Sequence, residues 1–251
     1  MIQKEIIFLT GLHRSGTSLL HEILRSHPDI SGFHNTGFPE DEGQYLQKVY
    51  KTGNDFGGPG KFAFNPNSYM KEDHPLATES NSKLIFEQWS KHVDTSSRYL
   101  IEKSPPNILR TRFLQEIFPN SKFILILRHP VAVSLATQKW TKQSTYHLMH
   151  HTLCAYEILF EDISHLKECL VIKYEDLVRS PQGVLQRIYQ FLSLNPIEHS
   201  KQIRKDINHN YFAKWRLNHN SYKALYYKFI TNKYKRRMER FDYNFNECLK
   251  S

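Results

Sequence analysis

Residues 11–20 read GLHRSGTSLL and follow the apolar run IIFLT of residues 6–10. Gly11 and Gly16 have the spacing of the G-x-x-x-x-G-K-[ST] loop that cradles nucleotide phosphates, and Ser18 stands at its [ST] position. Thr17 takes the place of the lysine, and a cation, Arg14, comes earlier in the loop. A loop that leaves a strand and enters a helix turns its backbone N–H groups toward one point, where the helix dipole adds a positive field. Ser15, Thr17 and Ser18 supply hydroxyl donors, and the Arg14 guanidinium can grip an oxyanion through two parallel bonds. The chemistry these residues suit is the binding of a phosphate- or sulfate-like group.

The absent lysine narrows the ligand. In nucleoside-triphosphate enzymes that lysine reaches the terminal phosphates, and an aspartate at the end of another strand holds Mg²⁺. Here the apolar strand FILIL (123–127) ends in Arg128-His129-Pro130, a cation where the acidic ligand is expected. Two strand ends offering arginines call for a ligand with two separate anionic groups and no obligatory metal. The competing readings are a nucleotide kinase with a divergent loop and a non-catalytic phosphonucleotide-binding protein.

These groups need a scaffold, and the chain alternates strand and helix patterns. Strands are expected at 6–10, 98–103, 121–130 and 169–174. Helices are expected at 17–26, 81–93, 107–118, 131–140, 145–167 and 180–194, the last entered through a serine and a proline. Such alternation predicts an α/β fold, a P-loop-like three-layer domain with a central parallel β-sheet flanked by helices, whose ligands bind beyond the carboxyl ends of the strands. Residues 1–251 are expected to form one domain. Its 31–80 segment, rich in Gly, Pro, Asn and Asp, is read as irregular and substrate-facing, and 198–251 as a helical, basic C-terminal part. Tyr222, Tyr226, Tyr227, Phe229 and Tyr234 are expected to pack that part onto the sheet.

With 251 residues and 39% hydrophobic content, the chain can bury a sizeable core. The net charge of +9 favours polyanionic partners. No nucleic-acid-binding module is recognisable, so no nucleic acid is expected as partner. The basic run NKYKRRMER (232–240) suits a solvated helix face or an anionic acceptor. The three cysteines, Cys154, Cys169 and Cys248, have neither disulfide nor metal spacing. With no transmembrane run and no cleavable leader, the expected location is cytoplasmic. The histidines of HLMHH (147–151) have no accompanying carboxylates, so no zinc site is expected.

In four places, in order, the chain resembles the sulfotransferase family, which uses 3′-phosphoadenosine 5′-phosphosulfate. GLHRSGTSLL resembles its 5′-phosphosulfate loop, of the R-S-G-T type found in carbohydrate and tyrosylprotein sulfotransferases. EKSPPN (102–107) resembles the segment that brings a lysine to the active site. FPNSKFILILRHPVAVSLA (118–136) is similar to the 3′-phosphate-binding strand, loop and helix, and IKYEDLVRSPQGVLQRIYQFLSL (172–194) to the late strand and helix.

The resemblance implies that Arg14, Ser15, Gly16, Thr17 and Ser18 hold the 5′-phosphosulfate, that Arg128 binds the 3′-phosphate, and that Lys103 stabilises the departing phosphate. The family's usual serine eight residues after that arginine is replaced by Ala136, leaving Ser134 or Thr137 as substitutes. FAKWR (212–216) resembles a late cofactor-contacting segment and adds Lys214. The implied reaction is in-line transfer of a sulfuryl group to a hydroxyl or amine of an acceptor, possible without a metal because that group carries less charge than a phosphoryl group. A gap-free reading against the tyrosylprotein type puts Asn35 at the position of the general base, beside His34. The candidates for that base are Glu42, Glu40 and His34. The acceptor and the oligomeric state are not legible.

Overall fold

The computed structural model describes residues 4–199, 201–204 and 207–249. Strand β1 (Glu5–Thr10) is followed by α1 (Thr17–Arg25) and the short β2 (Ile30–Gly32). After a run of 3-10 turns come α2 (Glu79–Ser90), β3 (Tyr99–Lys103), α3 (Thr111–Ile117) and β4 (Lys122–Leu127). Then follow α4 (Pro130–Thr137), α5 (Thr145–Ile163), β5 (Cys169–Lys173), α6 (Tyr174–Arg179) and α7 (Pro181–Phe191). Helices α8 (Ile207–His219), α9 (Ala224–Glu239) and α10 (Asn246–Leu249) form the C-terminal part.

The five strands form one parallel sheet in the order β2-β3-β1-β4-β5. Side chains alternate across it, as the two-residue period of a strand requires. Phe8, Phe123, Leu125 and Leu127 join one core with Trp89 of α2, Phe113 of α3, Leu135 of α4 and Leu153 of α5. Ile7, Leu9, Ile124 and Ile126 join the other with Leu20 and Leu24 of α1, Leu177 of α6 and Ile188 of α7. Burial on both faces is why these strands read as continuous apolar runs. The result is the expected three-layer α/β arrangement. Because β3 and β4 flank β1, the carboxyl ends of all three open on the same edge, where the chain reverses its direction of winding.

Several boundaries differ from the sequence reading. The expected helix over 107–118 is a 3-10 turn at Pro105–Leu109 followed by α3, because Arg110, at φ −135°, interrupts the helical backbone. The strand at 169–174 stops at Lys173, and α6 starts at once, an element the sequence did not signal. The 31–80 segment is mostly irregular, with five short 3-10 turns, and the apolar Phe62, Tyr50 and Met70 bury it against the core. In the C-terminal part, Tyr227 and Tyr234 are buried, whereas Tyr222, Tyr226 and Phe229 are exposed. The buried pair packs on neighbouring helices, Tyr227 against Trp215 of α8 and Tyr234 against Tyr146 of α5, rather than on the sheet. Among the described residues no helix is long and apolar enough to cross a membrane, and all three cysteines are free thiols.

Candidate active site

The loop between β1 and α1 is shaped by two glycines. A Cβ on Gly11 would lie 2.3 Å from the Ile126 carbonyl oxygen, and one on Gly16 2.5 Å from the Tyr174 ring. Gly16 also has φ +103°, a left-handed conformation that costs glycine nothing. Gly16 is the N-cap of α1, and no side chain caps the helix, so its first-turn N–H groups remain for a ligand. The loop hydroxyls have separate uses. Ser15 is buried and its Oγ donates to Leu12 O at 2.6 Å, so its side chain braces the loop instead of facing a ligand. Ser18 Oγ donates to Glu40 Oε2 at 3.2 Å. Thr17 is buried in the first turn of α1.

Arg14 and Arg128 meet across the sheet edge. Arg14 stands at φ 66°, and its carbonyl oxygen accepts a 2.7 Å hydrogen bond from Arg128 Nη1. The Arg14 guanidinium lies 4.6 Å over the Trp140 ring. Arg128 is sandwiched between Tyr174, at 4.2 Å, and Tyr211, at 5.5 Å. Its Nε and Nη2 both donate to Asn208 Oδ1, and Asn208 Nδ2 in turn donates to Glu175 Oε1. These aromatic and amide supports hold a nearly buried guanidinium without neutralising it by a direct carboxylate. Arg14, Gly16, Ser18, Arg128 and Arg204 line a cleft of about 260 Å³. Trp140, Asn208, Tyr211 and Arg204 escaped the sequence reading because packing brings each of them in, and Tyr174, though within the segment 172–194, was not singled out.

A second cavity, of about 550 Å³, meets the first at Ser18 and is lined by His34, Glu40, Asp41 and Lys103. Lys103, the last residue of β3, is 2% exposed; its Nζ lies 3.6 Å from Glu42 Oε1 and donates to Glu40 O at 2.7 Å. Glu42 also accepts from Gln44 Nε2. Burial pushes the Glu42 carboxyl up to about 6, against the opposing pull of Lys103. Beneath it, the fully buried Glu102 is pushed up to about 7 by burial, although Ser104 and Asn107 donate to it. Glu40 is exposed, at φ 53°, in a 3-10 turn. Asp41 is taken up by Thr36 and the Asn35 backbone.

The structure therefore brings together Arg14, Gly16, Thr17, Ser18, Arg128, Lys103, Glu42, Glu40 and His34 at one sheet edge. It leaves out three expected side-chain contacts, that of Ser15, turned into the loop, and two on helices. Ser134 is fully buried within α4 with its Oγ unpartnered, and Lys214 is exposed on α8; neither lines the two cavities. Among the described residues no group of three or more His, Cys, Asp or Glu side chains is placed to hold a metal. The histidines of 147–151 are engaged separately, His147 with Gly60 O, His150 with Arg237 and His151 with the Ala63 N–H.

The chain is 26% identical over 242 residues to protein-tyrosine sulfotransferase 2 of Gallus gallus, covering 84% of this chain and 62% of that protein. It is 26% identical over 216 residues to protein-tyrosine sulfotransferase A of Caenorhabditis elegans, covering 80% of this chain and 54% of that one. The chain thus spans little more than half the length of these relatives. The fold is that of the sulfotransferase domain from the Synechococcus PCC 7002 olefin synthase, with a TM-score of 0.61 at 19% identity over 96% of this chain and 95% of that one. The family model described as "Sulfotransferase family" matches residues 6–198, which include the loop, Lys103, Glu42 and Arg128, and the chain belongs to the sulfotransferase family.

Proposed function

We propose that this protein moves a sulfuryl group from 3′-phosphoadenosine 5′-phosphosulfate to a hydroxyl of an acceptor held in the 550 Å³ cavity. The observation that carries the reading is the buried Lys103–Glu42 pair beside a loop suited to oxyanions but lacking the triphosphate lysine. The donor set fits the nucleotide. The uncapped first turn of α1, with Arg14, Thr17 and Ser18, would hold the 5′-phosphosulfate, and Arg128 the 3′-phosphate. The bound nucleotide supplies an activated sulfuryl group, whose sulfur–oxygen bond to phosphate breaks as the acceptor oxygen bonds to sulfur.

Lys103 places positive charge where the leaving phosphate oxygen becomes negative. Glu42 takes the acceptor's proton. A carboxyl pushed up to about 6 is both largely ionised near neutral pH and more basic than an exposed one. Glu40 orients the Ser18 hydroxyl, and His34 lines the cavity on the acceptor side. Fixed arginine, lysine and amide dipoles suffice for this charge distribution, so the reaction proceeds without a metal.

Calorimetric titration with adenosine 3′,5′-bisphosphate and with ATP, each with and without Mg²⁺, tests the reading. Metal-independent binding of the bisphosphate is expected. Mg²⁺-dependent ATP binding with no response to the bisphosphate would overturn it in favour of a nucleotide kinase.

A further inference from the structure

The 550 Å³ cavity runs along one face of α1. Ser18, His21, Glu22 and Arg25 stand at i, i+3, i+4 and i+7 and form a stripe on that face. At ~1.5 Å per residue, Arg25 lies about 10 Å along the helix axis from Ser18. The other charged groups on this cavity have partners within the protein. Glu40 accepts from Ser18, Glu22 pairs with Lys201, Lys103 pairs with Glu42, and Asp41 is held by Thr36.

Arg25 is different. Among the described residues it makes no ion pair or hydrogen bond, and its Nε is buried without a partner. One turn earlier, His21 is 4% exposed and its Nε2 is likewise buried and unpartnered. Burial, with help from Lys103 and Arg25, pushes the imidazole down to about 3, so the ring stays neutral and adds no charge. Gly32 leaves room beside both side chains: a Cβ there would lie 3.0 Å from His21 Nε2 and 3.2 Å from Arg25 Cδ.

The nucleotide's anionic groups belong to Arg14, Arg128 and the α1 first turn, at the other end of the stripe. The Arg25 guanidinium, with no ion pair or hydrogen bond to the described residues, is available to an acceptor in that cavity. We propose that the acceptor is a small hydroxy acid, its carboxylate gripped by Arg25 and its hydroxyl delivered to the Ser18–Lys103 end, about 10 Å away. One uncommitted cation matches a monoanion better than a phosphate dianion. A volume of about 550 Å³ is that of a small-molecule site. The inference rests on the sulfuryl-transfer reading and adds the acceptor class to it.

The test uses protein saturated with adenosine 3′,5′-bisphosphate, titrated calorimetrically with 8-hydroxyoctanoate, with 3-(4-hydroxyphenyl)propionate, and with the primary amide of each. Failure of the bisphosphate itself to bind would remove the transfer reading, and is scored separately. With the bisphosphate bound, the acids are expected to bind at least ten-fold more tightly than the amides. Arg25→Gln is expected to bring the acids down to the level of the amides, with Arg25→Lys in between, while bisphosphate affinity stays within two-fold in both variants. Equal binding of acids and amides, an acid preference that survives in Arg25→Gln, or no binding of either acid would overturn the proposal.

Discussion

Lys103 Nζ lies 3.6 Å from Glu42 Oε1, with the two side chains only 2% and 5% exposed. The lysine closes a central strand, and the glutamate enters from a segment of 3-10 turns sixty-one residues earlier (103 − 42). Each member of this dry pair has a second partner, Lys103 donating to Glu40 O and Glu42 accepting from Gln44 Nε2, and Lys103 lines the cavity that an acceptor can enter.

Removing the lysine separates catalysis from binding. Lys103→Ala is expected to lower single-turnover sulfuryl transfer by 10²–10³-fold, about 3–4 kcal/mol of transition-state stabilisation. Adenosine 3′,5′-bisphosphate affinity, measured by calorimetry, should change less than three-fold. Unchanged transfer in this variant would show that Lys103 has no part in the chemistry.

Glu42 sets the pH dependence. As the base it acts ionised, so kcat/KM should rise through about pH 6 and level off above it. Stability moves the other way. The folded-state value of about 6 exceeds the ordinary 4.5, so the native state keeps a proton that the unfolded chain has already lost. Stability therefore falls as pH rises from 4.5 through 6, by on the order of 2 kcal/mol. Glu42→Gln should abolish the kinetic rise and reduce the difference between urea melts at pH 4 and pH 7. A kinetic rise that persists in Glu42→Gln would transfer the role to another group.

Arg128 is held by the planes of Tyr174 and Tyr211 and by Asn208, a seat that suits a flat guanidinium and not an ammonium. Arg128→Lys should therefore weaken bisphosphate binding nearly as much as Arg128→Ala, each by roughly 100-fold, at ~1.5–3 kcal/mol for a charged hydrogen-bonding group. Full retention of affinity by the lysine variant would show that charge alone is read there.

Trp140 offers an optical test of the Arg14 site. Trp89 and Trp215 are fully buried, while Trp140 is 51% exposed and carries the Arg14 guanidinium at 4.6 Å. Bisphosphate binding should change tryptophan emission, and Trp140→Phe should remove that change while keeping an aromatic support for Arg14. Trp140→Leu should weaken binding about three- to five-fold, the worth of an exposed cation–π contact at ~0.5–1 kcal/mol. Emission that still responds in Trp140→Phe would place the ligand elsewhere.

Most of the fold was legible because local rules and the tertiary structure agree. FILIL and IIFLT are buried on both faces, as the strands of a covered parallel sheet are, and their short length and the glycine or arginine that follows mark them as strands. Ser144 and Pro181 stand at helix starts where capping chemistry puts them. Legibility failed where a residue's surroundings come from far along the chain. Ser134 looked like a substitute phosphate ligand, but the helix turns it into the protein. The exposed Phe229 looked like core because composition does not say which face of α9 meets α5 and α8, and Tyr222 lies in the turn before that helix. Arg25 and His21 drew no notice as residues of an ordinary amphipathic helix; only the cavity beside them sets them apart.

The sequence by itself determined the loop, four of the five strands, all but the short β2, and the residue types at their carboxyl ends. A strand–glycine–helix connection is local, and its backbone geometry follows from a few neighbouring residues. The tertiary structure decided which carboxylate meets Lys103, which aromatics seat Arg128, and that Arg25 faces the second cavity without an ion-pair partner. Those outcomes depend on burial. Excluding water raises the Glu42 carboxyl, makes the Lys103 charge strong and leaves the Arg25 Nε without a partner, and water is excluded only when segments far apart in the chain close over one another.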